Sequence, residues 1–390
     1  MDKIVIVMPT YKEKDNIARM IPELFEKEFP GIRGANMHLL VVNDLPAGGR
    51  DDGTGDIVRK FKVKFKNLHL LEDAKQGLGW AYVRGMRYAV DKLHADATIE
   101  MDADFQHPPR FVRPMVEAYL AGADYVIGSR YIKGGSVPGE WAMHRRAVSF
   151  FGNLFIRIVL VKPTIHDLTT GFRLTRVRGV LDKIKLEKLM ELTRFAYKVD
   201  LMYQSIKNAK KIVEVPLEFA PRTEEVSKFS MQEMISTFKV AIILGIKDKQ
   251  RFIKYGAVGF IGYAINAIGL EAFYRLGFST GVAAAIGAEF AIISNFVLNN
   301  FWTFKEEKIT SLGRIISKFI QFNLSSAGAI VIQAVVVGAG TAIFGAQTRQ
   351  IMLIIAVGFF VIPYNYAMYN LFIWKTWKVP ALAKIQKRLG

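Results

Sequence analysis

Asp102-Ala103-Asp104-Phe105-Gln106 sets two carboxylates one residue apart, directly behind an apolar run that ends in Glu100-Met101. In an extended segment such residues share a side. Their oxygens and the Gln106 amide oxygen could hold a hard divalent ion, Mg²⁺ or Mn²⁺, with water and a diphosphate supplying the other ligands. An ion there would neutralise charge on a departing nucleotide. A solvated acidic turn has the same composition, and the place behind a buried strand favours the metal. Pro9-Thr10-Tyr11-Lys12-Glu13 offers a ring against which a base or ribose could rest and a carboxylate to accept from either. Lys75-Gln76-Gly77-Leu78-Gly79 precedes a helical pattern, where an anion could meet the helix N-terminus or where a plain turn would serve. His107 is a candidate metal ligand or a structural histidine. Arg130, Arg145, Arg146, Arg173 and Arg222 are candidate phosphate clamps, since a planar guanidinium binds phosphate with two parallel donors. Residues 48–56 are glycine-rich and acidic but lack the Gly-Lys-Ser/Thr ending of a phosphate-binding P-loop.

These residues need a scaffold, and residues 3–215 alternate short β-rich runs with longer amphipathic segments. Strands are predicted at 4–8, 37–42, 96–101 and 125–128, and helices at 15–28, 78–93 and 110–120. That alternation implies a mainly parallel sheet covered by helices on both faces. Ligands of such sheets sit beyond the carboxyl ends of the strands, where the acidic motif, Pro9–Glu13 and Asn43-Asp44 all fall.

The chain has 390 residues, a formal charge of +18, 51% hydrophobic residues and 23% charged ones. The charges crowd into the first two-thirds, so two unlike domains are expected. The positive balance points to an anionic membrane surface and not to nucleic acid. With no cysteine there is no disulfide, thiolate metal site or cysteine nucleophile. The first apolar run, residues 4–8, is too short for a signal-peptide core and stops at Pro9.

Beyond residue 225 a Lys-bearing amphipathic stretch, 226–250, is expected to lie flat on a membrane. Four apolar spans follow, at about 252–274, 281–301, 319–344 and 351–374, each near the 20 or so residues a helix needs to cross a bilayer. Lys247, Lys249, Arg251, Lys254, Lys305, Lys308, Arg314, Lys318, Lys375 and Lys378 fall on one predicted side. The positive-inside bias then makes this a multi-pass protein with its catalytic domain and both termini cytoplasmic. Trp302, Trp374 and Trp377 are expected at the interfaces.

In this order the motifs resemble the dolichol-phosphate mannosyltransferase branch of the family-2 inverting glycosyltransferases. The matching segments are Pro9-Thr10-Tyr11-x-Glu13, Lys75-x-Gly77-Leu78-Gly79, Asp102-Ala103-Asp104-x-Gln106-His107-Pro108-Pro109, Gly128-Ser129-Arg130-Tyr131, Arg145-Arg146 and Asp167-x-Thr169-Thr170-Gly171-Phe172-Arg173. The tail resembles a GtrA-like membrane domain. The resemblance implies an α/β GT-A (Rossmann-like) catalytic domain over 1–225, interfacial helices over 226–250 and an all-α transmembrane domain of four helices over 251–390. It implies that Pro9, Tyr11, Glu13, Val42, Asp44, Asp102 and Ala103 bind the nucleotide, and that Asp102, Asp104 and Gln106 hold Mg²⁺ or Mn²⁺. Asp104, Arg130 and Arg222 are the implied catalytic residues, and Arg130, Arg145 and Arg146 would face the acceptor phosphate. Asn43-Asp44 stands where the family usually has two aspartates, and a longer loop follows.

The implied reaction moves mannose from GDP-mannose to dolichyl or another polyprenyl phosphate within a lipid bilayer. The acceptor phosphate is already ionised at neutral pH, so displacement at the anomeric carbon needs no general base. It needs two anions positioned against their repulsion. The alternatives are a UDP-glucose:polyprenyl-phosphate glucosyltransferase and a non-catalytic lipid-binding or flippase-like membrane protein.

Overall fold

The structure, a computed structural model, describes residues 1–48, 51–221 and 231–377. The chain divides into two compact units, Met1–Gly245 and Ile246–Gly390.

The first unit is built on a seven-stranded sheet of β1 (Asp2–Thr10), β2 (Ala35–Leu45), β3 (Leu68–Ala74), β4 (Ala97–Glu100), β5 (Tyr125–Ser129), β6 (Arg173–Arg176) and β7 (Ile212–Pro216), in the order 3-2-1-4-6-5-7. All neighbours run parallel except β6, which is antiparallel to both β4 and β5. A strand buried on both faces reads as one apolar run instead of alternating. In β1, Ile4, Ile6 and Met8 enter one core cluster while Val5 and Val7 enter another on the opposite face. Leu39 and Val41 against Leu40 and Val42 divide β2 in the same way.

Helices α1 (Lys14–Pro22), α2 (Thr54–Lys64), α3 (Leu78–Asp91), α4 (Val112–Leu120), α5 (Met143–Val159), α6 (Tyr197–Asn208) and α7 (Met231–Asp248) complete the elements around the sheet. The expected helix at 15–28 is α1 continued by a π-helical turn over Glu23–Glu28. β1 pairs with β2 on one side and β4 on the other. Between β1 and β4 the strand order reverses, which opens a crevice beyond their carboxyl ends.

The second unit is helical: α8 (Gln250–Arg275), α9 (Thr280–Leu298), α10 (Leu312–Phe344) and a last helical run from α11 (Arg349–Ile355) through α12 (Ile362–Met368) with π-helical turns to Ile373. Among the described residues three helices are long and apolar enough to cross a membrane, at Gln250–Arg275, Leu312–Phe344 and Ala356–Ile373. The expected span at 281–301 appears as α9, 19 residues long, followed by a π-helical turn with Asn299 and Asn300 buried. α8 and α9 pack closely through glycine: a Cβ on Gly269 would come within 2.9 Å of Gly287 Cα. Of the three tryptophans expected at interfaces, Trp302 and Trp377 are exposed but Trp374 is buried. Its ring stacks on Phe304 at 4.3 Å, and its Nε1 donates to Asn300 Oδ1 at 3.1 Å.

Candidate active site

A cavity of about 470 Å³ opens beyond β1, β2 and β4. Pro9, Thr10, Tyr11 and Glu13 line it from the end of β1, Asp44 from β2, and Asp102, Ala103, Asp104 and Gln106 from the loop after β4. Phe105 adopts a left-handed φ of 61°, so the loop reverses at this residue and Asp104 and Gln106 both line the cavity. Asp104 Oδ1 accepts the Gln106 amide at 3.2 Å. Tyr82, from α3, donates to Asp102 Oδ1 at 2.7 Å. Burial opposes ionisation of Asp102, but the Lys198 ammonium and the Tyr82 hydroxyl outweigh it and hold the carboxyl below the usual range.

His107 is fully buried and stacks on Phe172 at 5.2 Å. Its Nδ1 accepts the Asp102 amide at 3.1 Å, which closes the turn. Burial, helped by Lys198, Arg130 and Arg173, pulls its pKa down to about 4 although Asp102 acts the other way. The ring is neutral at physiological pH and shapes the loop through that bond.

Among the described residues no three His, Asp or Glu side chains converge as a ready-made cage for a metal. Two carboxylates and an amide line one cavity instead. Hard oxygens in that number fit a divalent ion that draws its remaining ligands from a bound diphosphate.

Arg130 follows β5, and its Nε and Nη2 grip Asp167 at 2.7 and 2.9 Å, with Nη2 also donating to Thr169 at 2.6 Å. Asp167 is fully buried and also accepts the Arg130, Thr169 and Thr170 amides. Burial works against the charge on Arg130, and the Asp167 carboxylate more than restores it. Arg145, from α5, lies over the Trp141 ring at 4.0 Å and lines the same cavity. Asn153, also on α5, holds the Asp167 loop by accepting the Leu168 amide at 2.8 Å.

Three sequence expectations land elsewhere. Val42 lies wholly within the sheet core, because its side chain takes the inward face of β2, and it does not line the cavity. Arg146 is exposed on α5 and outside the lining, one residue's rotation away from Arg145. Arg173 is fully buried in β6 and pairs with Glu100 at 2.8 Å, so it supports the floor without reaching the cavity. Arg222 lies outside the described residues.

The Lys75-x-Gly77-Leu78-Gly79 glycines serve close packing. A Cβ on Gly77 would sit 2.6 Å from Thr193 Cα, and one on Gly79 2.5 Å from the Leu192 carbonyl oxygen. Gly77 also has φ +124°. Gly77→Ala is therefore expected to lower stability by about 1–3 kcal/mol through overpacking and backbone strain, read as a lower unfolding temperature. Lys75 reaches back over the Tyr11 ring, 3.3 Å from its centroid. The acidic loop before α2 is used locally: Asp52 accepts the Thr54 amide at 3.0 Å and Asp51 the Gly55 amide at 2.6 Å.

Sequence reading missed the apolar wall of the cavity. α5 and α7 pack through Phe155 and Phe238, with ring centroids 5.0 Å apart. Val148, Gly152, Ile156, Met234 and Phe238 line the cavity beside Arg145. The outer faces of the same two helices leave Phe150, Phe151, Ile158, Ile235 and Ile242 exposed. The spacing of the apolar residues in 143–159 carried that signal.

The chain is similar to known proteins over both units. The Glycosyl transferase family 2 profile matches residues 5–182, and the GtrA/DPMS transmembrane-domain profile matches residues 254–374. A dolichol-phosphate mannosyltransferase from Pyrococcus furiosus is 30% identical over 338 residues, 86% of this chain and 89% of its own. A polyprenol monophosphomannose synthase from Mycolicibacterium smegmatis is 33% identical over 242 residues, 61% of this chain and 86% of its own. An undecaprenyl-phosphate mannosyltransferase from Micrococcus luteus is 32% identical over 229 residues, 58% and 88%. The alignment of 338 residues is longer than either compact unit. By that relative and the two matching profiles, the chain belongs to the polyprenyl-phosphate mannosyltransferases of glycosyltransferase family 2 and is a membrane-embedded enzyme.

Proposed function

We propose that this enzyme transfers mannose from GDP-mannose to a polyprenyl phosphate such as dolichyl phosphate, inverting the anomeric carbon, with a divalent metal, its catalytic unit on the cytoplasmic side. The observation that carries the reading is one cavity with carboxylates at one end, arginines beside them and an apolar wall between two amphipathic helices. The mannosyltransferase relatives support the choice of sugar. Pro9, Tyr11, Glu13 and Asp44 take the nucleoside, and Lys75 swings off the Tyr11 ring to admit it. A divalent ion held by Asp102, Asp104 and Gln106 would offset charge on the leaving diphosphate. Arg130 and Arg145 hold the acceptor phosphate with planar donors while its ionised oxygen attacks, so no side chain has to remove a proton. Val148, Ile156, Met234 and Phe238 receive the first isoprene units. The exposed aromatic and aliphatic faces of α5 and α7 lie in the bilayer interface and keep the cavity at headgroup depth.

The test is to give the purified protein labelled GDP-mannose or labelled UDP-glucose with a polyprenyl phosphate, with and without chelator. Lipid-borne mannose that disappears with chelator is the expected result. Transfer from UDP-glucose alone would replace the donor, and a lipid product undiminished by chelator would remove the metal.

Nucleotide affinity should also depend on pH through Asp44. Burial pushes this carboxyl up to about 6, against the opposing Arg84 and Lys75. Arg84 Nη2 donates to it at 2.5 Å. An ionised Asp44 accepts from a base and a protonated one does so less well, so GDP affinity should fall up to about tenfold per pH unit below 6. Calorimetry from pH 7.5 to 5 reads this, and Asp44→Asn should flatten the profile. Stability of the ligand-free protein has the opposite sign: the raised pKa costs folding free energy as pH rises through about 4 to 6.

A further inference from the structure

Lys198, the second residue of α6, is 1% exposed, and its Nζ straddles the Asp102 carboxylate at 3.3 and 3.4 Å from the two oxygens. The ammonium lies beside the Tyr82 and Phe195 rings, 5.1 and 4.9 Å from their centroids. Its route is kept clear by Gly171, where any Cβ would collide with Nζ and come within 3.2 Å of Cε. The stem is anchored as well, because the Lys198 carbonyl accepts from Arg173 Nη1 at 2.6 Å, and Arg173 is pinned in turn by Glu100.

Burying an ammonium carries a large desolvation cost, and an apolar side chain of similar volume would fill the same space without it. What the charge does here follows from its place. Asp102 and Asp104 together present two negative charges to the cavity, and Lys198 reduces the pair to a net single negative charge. A dication approaching the empty site then meets about half the attraction, because the nearby ammonium cancels one of the two carboxylate charges. A diphosphate bound alongside restores the missing negative charge.

We propose that Lys198 is a positioning residue that fixes the Asp102 carboxylate and offsets its charge, so that the divalent ion binds well only together with a nucleoside diphosphate. The inference rests on the metal reading above. It makes the metal a companion of the donor, and it keeps the empty site from sequestering free cations.

The test is Mn²⁺ binding to the full-length protein in detergent, followed by electron paramagnetic resonance of the free ion, with and without GDP. Wild type is expected to bind Mn²⁺ weakly alone and at least about tenfold more tightly with GDP. Lys198→Met should bind Mn²⁺ without nucleotide about tenfold or more tightly than wild type, on the scale of one charge pair at short range in a protein dielectric. Its gain from GDP should shrink correspondingly. A purely structural lysine would leave nucleotide-free Mn²⁺ affinity unchanged, and that result in a variant with the wild-type unfolding temperature overturns the proposal. If Lys198→Met loses its cooperative unfolding transition, Lys198→Gln, which keeps a donor toward Asp102 but no charge, is held to the same two outcomes. Wild type that fails to bind Mn²⁺ even with GDP would instead sink the metal reading itself, and this proposal with it.

Discussion

Asp104→Asn should lower the rate of lipid mannosylation by at least about 10²-fold while leaving the fold intact. Asp104 lines the cavity half-exposed, its Oδ1 accepts the Gln106 amide, and an Asn of the same shape keeps an oxygen that can accept it. The substitution therefore removes charge with little disturbance of structure, and stability should change by no more than about 1 kcal/mol. The rate is different, because on the proposed reading Asp104 helps hold the cation that offsets charge on the departing diphosphate, and losing such a ligand costs on that scale. Turnover with saturating donor and acceptor and the unfolding temperature together decide it. Full turnover of Asp104→Asn, in particular in excess chelator, would eliminate the carboxylate from the chemistry.

The second large effect concerns Arg130, whose guanidinium holds Asp167 and, on the proposed reading, also a phosphate. Its Nε and Nη2 are committed to Asp167 and Thr169, which leaves Nη1 as the nitrogen available to a phosphate in the cavity. Arg130→Ala strands a fully buried carboxylate, so stability should fall by about 3–5 kcal/mol. Arg130→Lys is milder but still harmful, since one ammonium cannot reproduce the two-pronged grip. A double variant separates structure from chemistry. Replacing Arg130 by Met and Asp167 by Leu removes both charges at once and should recover most of the unfolding temperature. If turnover also recovers, the arginine only held its loop. Turnover still about 10²-fold down in a stable double variant is the outcome expected of a phosphate ligand.

Much of the site was legible because its residues sit in local motifs at strand ends. The continuous apolar runs of β1 and β2 announced buried parallel strands, and the acidic motif behind β4 announced the cavity. The elements that escaped were those whose meaning depends on distant partners. β6 is four residues with arginine at both ends, which looks like a solvated turn until Glu100, 73 positions away, is placed beside Arg173. Lys198 sits in a segment that reads as an ordinary half-buried helix, and its partner is 96 residues upstream. Arg145 and Arg146 are equivalent in sequence, and only the rotation of α5 sends one to the cavity and the other to the outside. An apolar stripe looks the same whether it packs on a core or faces lipid, which is why α5 could be missed while its arginines were noticed.

The floor of the cavity rests on three oppositely charged couples: Glu100 with Arg173, Asp102 with Lys198, and Asp167 with Arg130. Each spans two segments far apart in the gene. A change to any one member leaves its partner stranded, so neutral drift through this floor has to proceed by paired replacements, which arise far more rarely than single ones. The rim is less constrained: Tyr11 and Lys75 meet through a ring contact and can be exchanged one at a time, whereas Asp44 is tied to Arg84. Change along the rim therefore has a more open path, while the three couples beneath it resist single replacements.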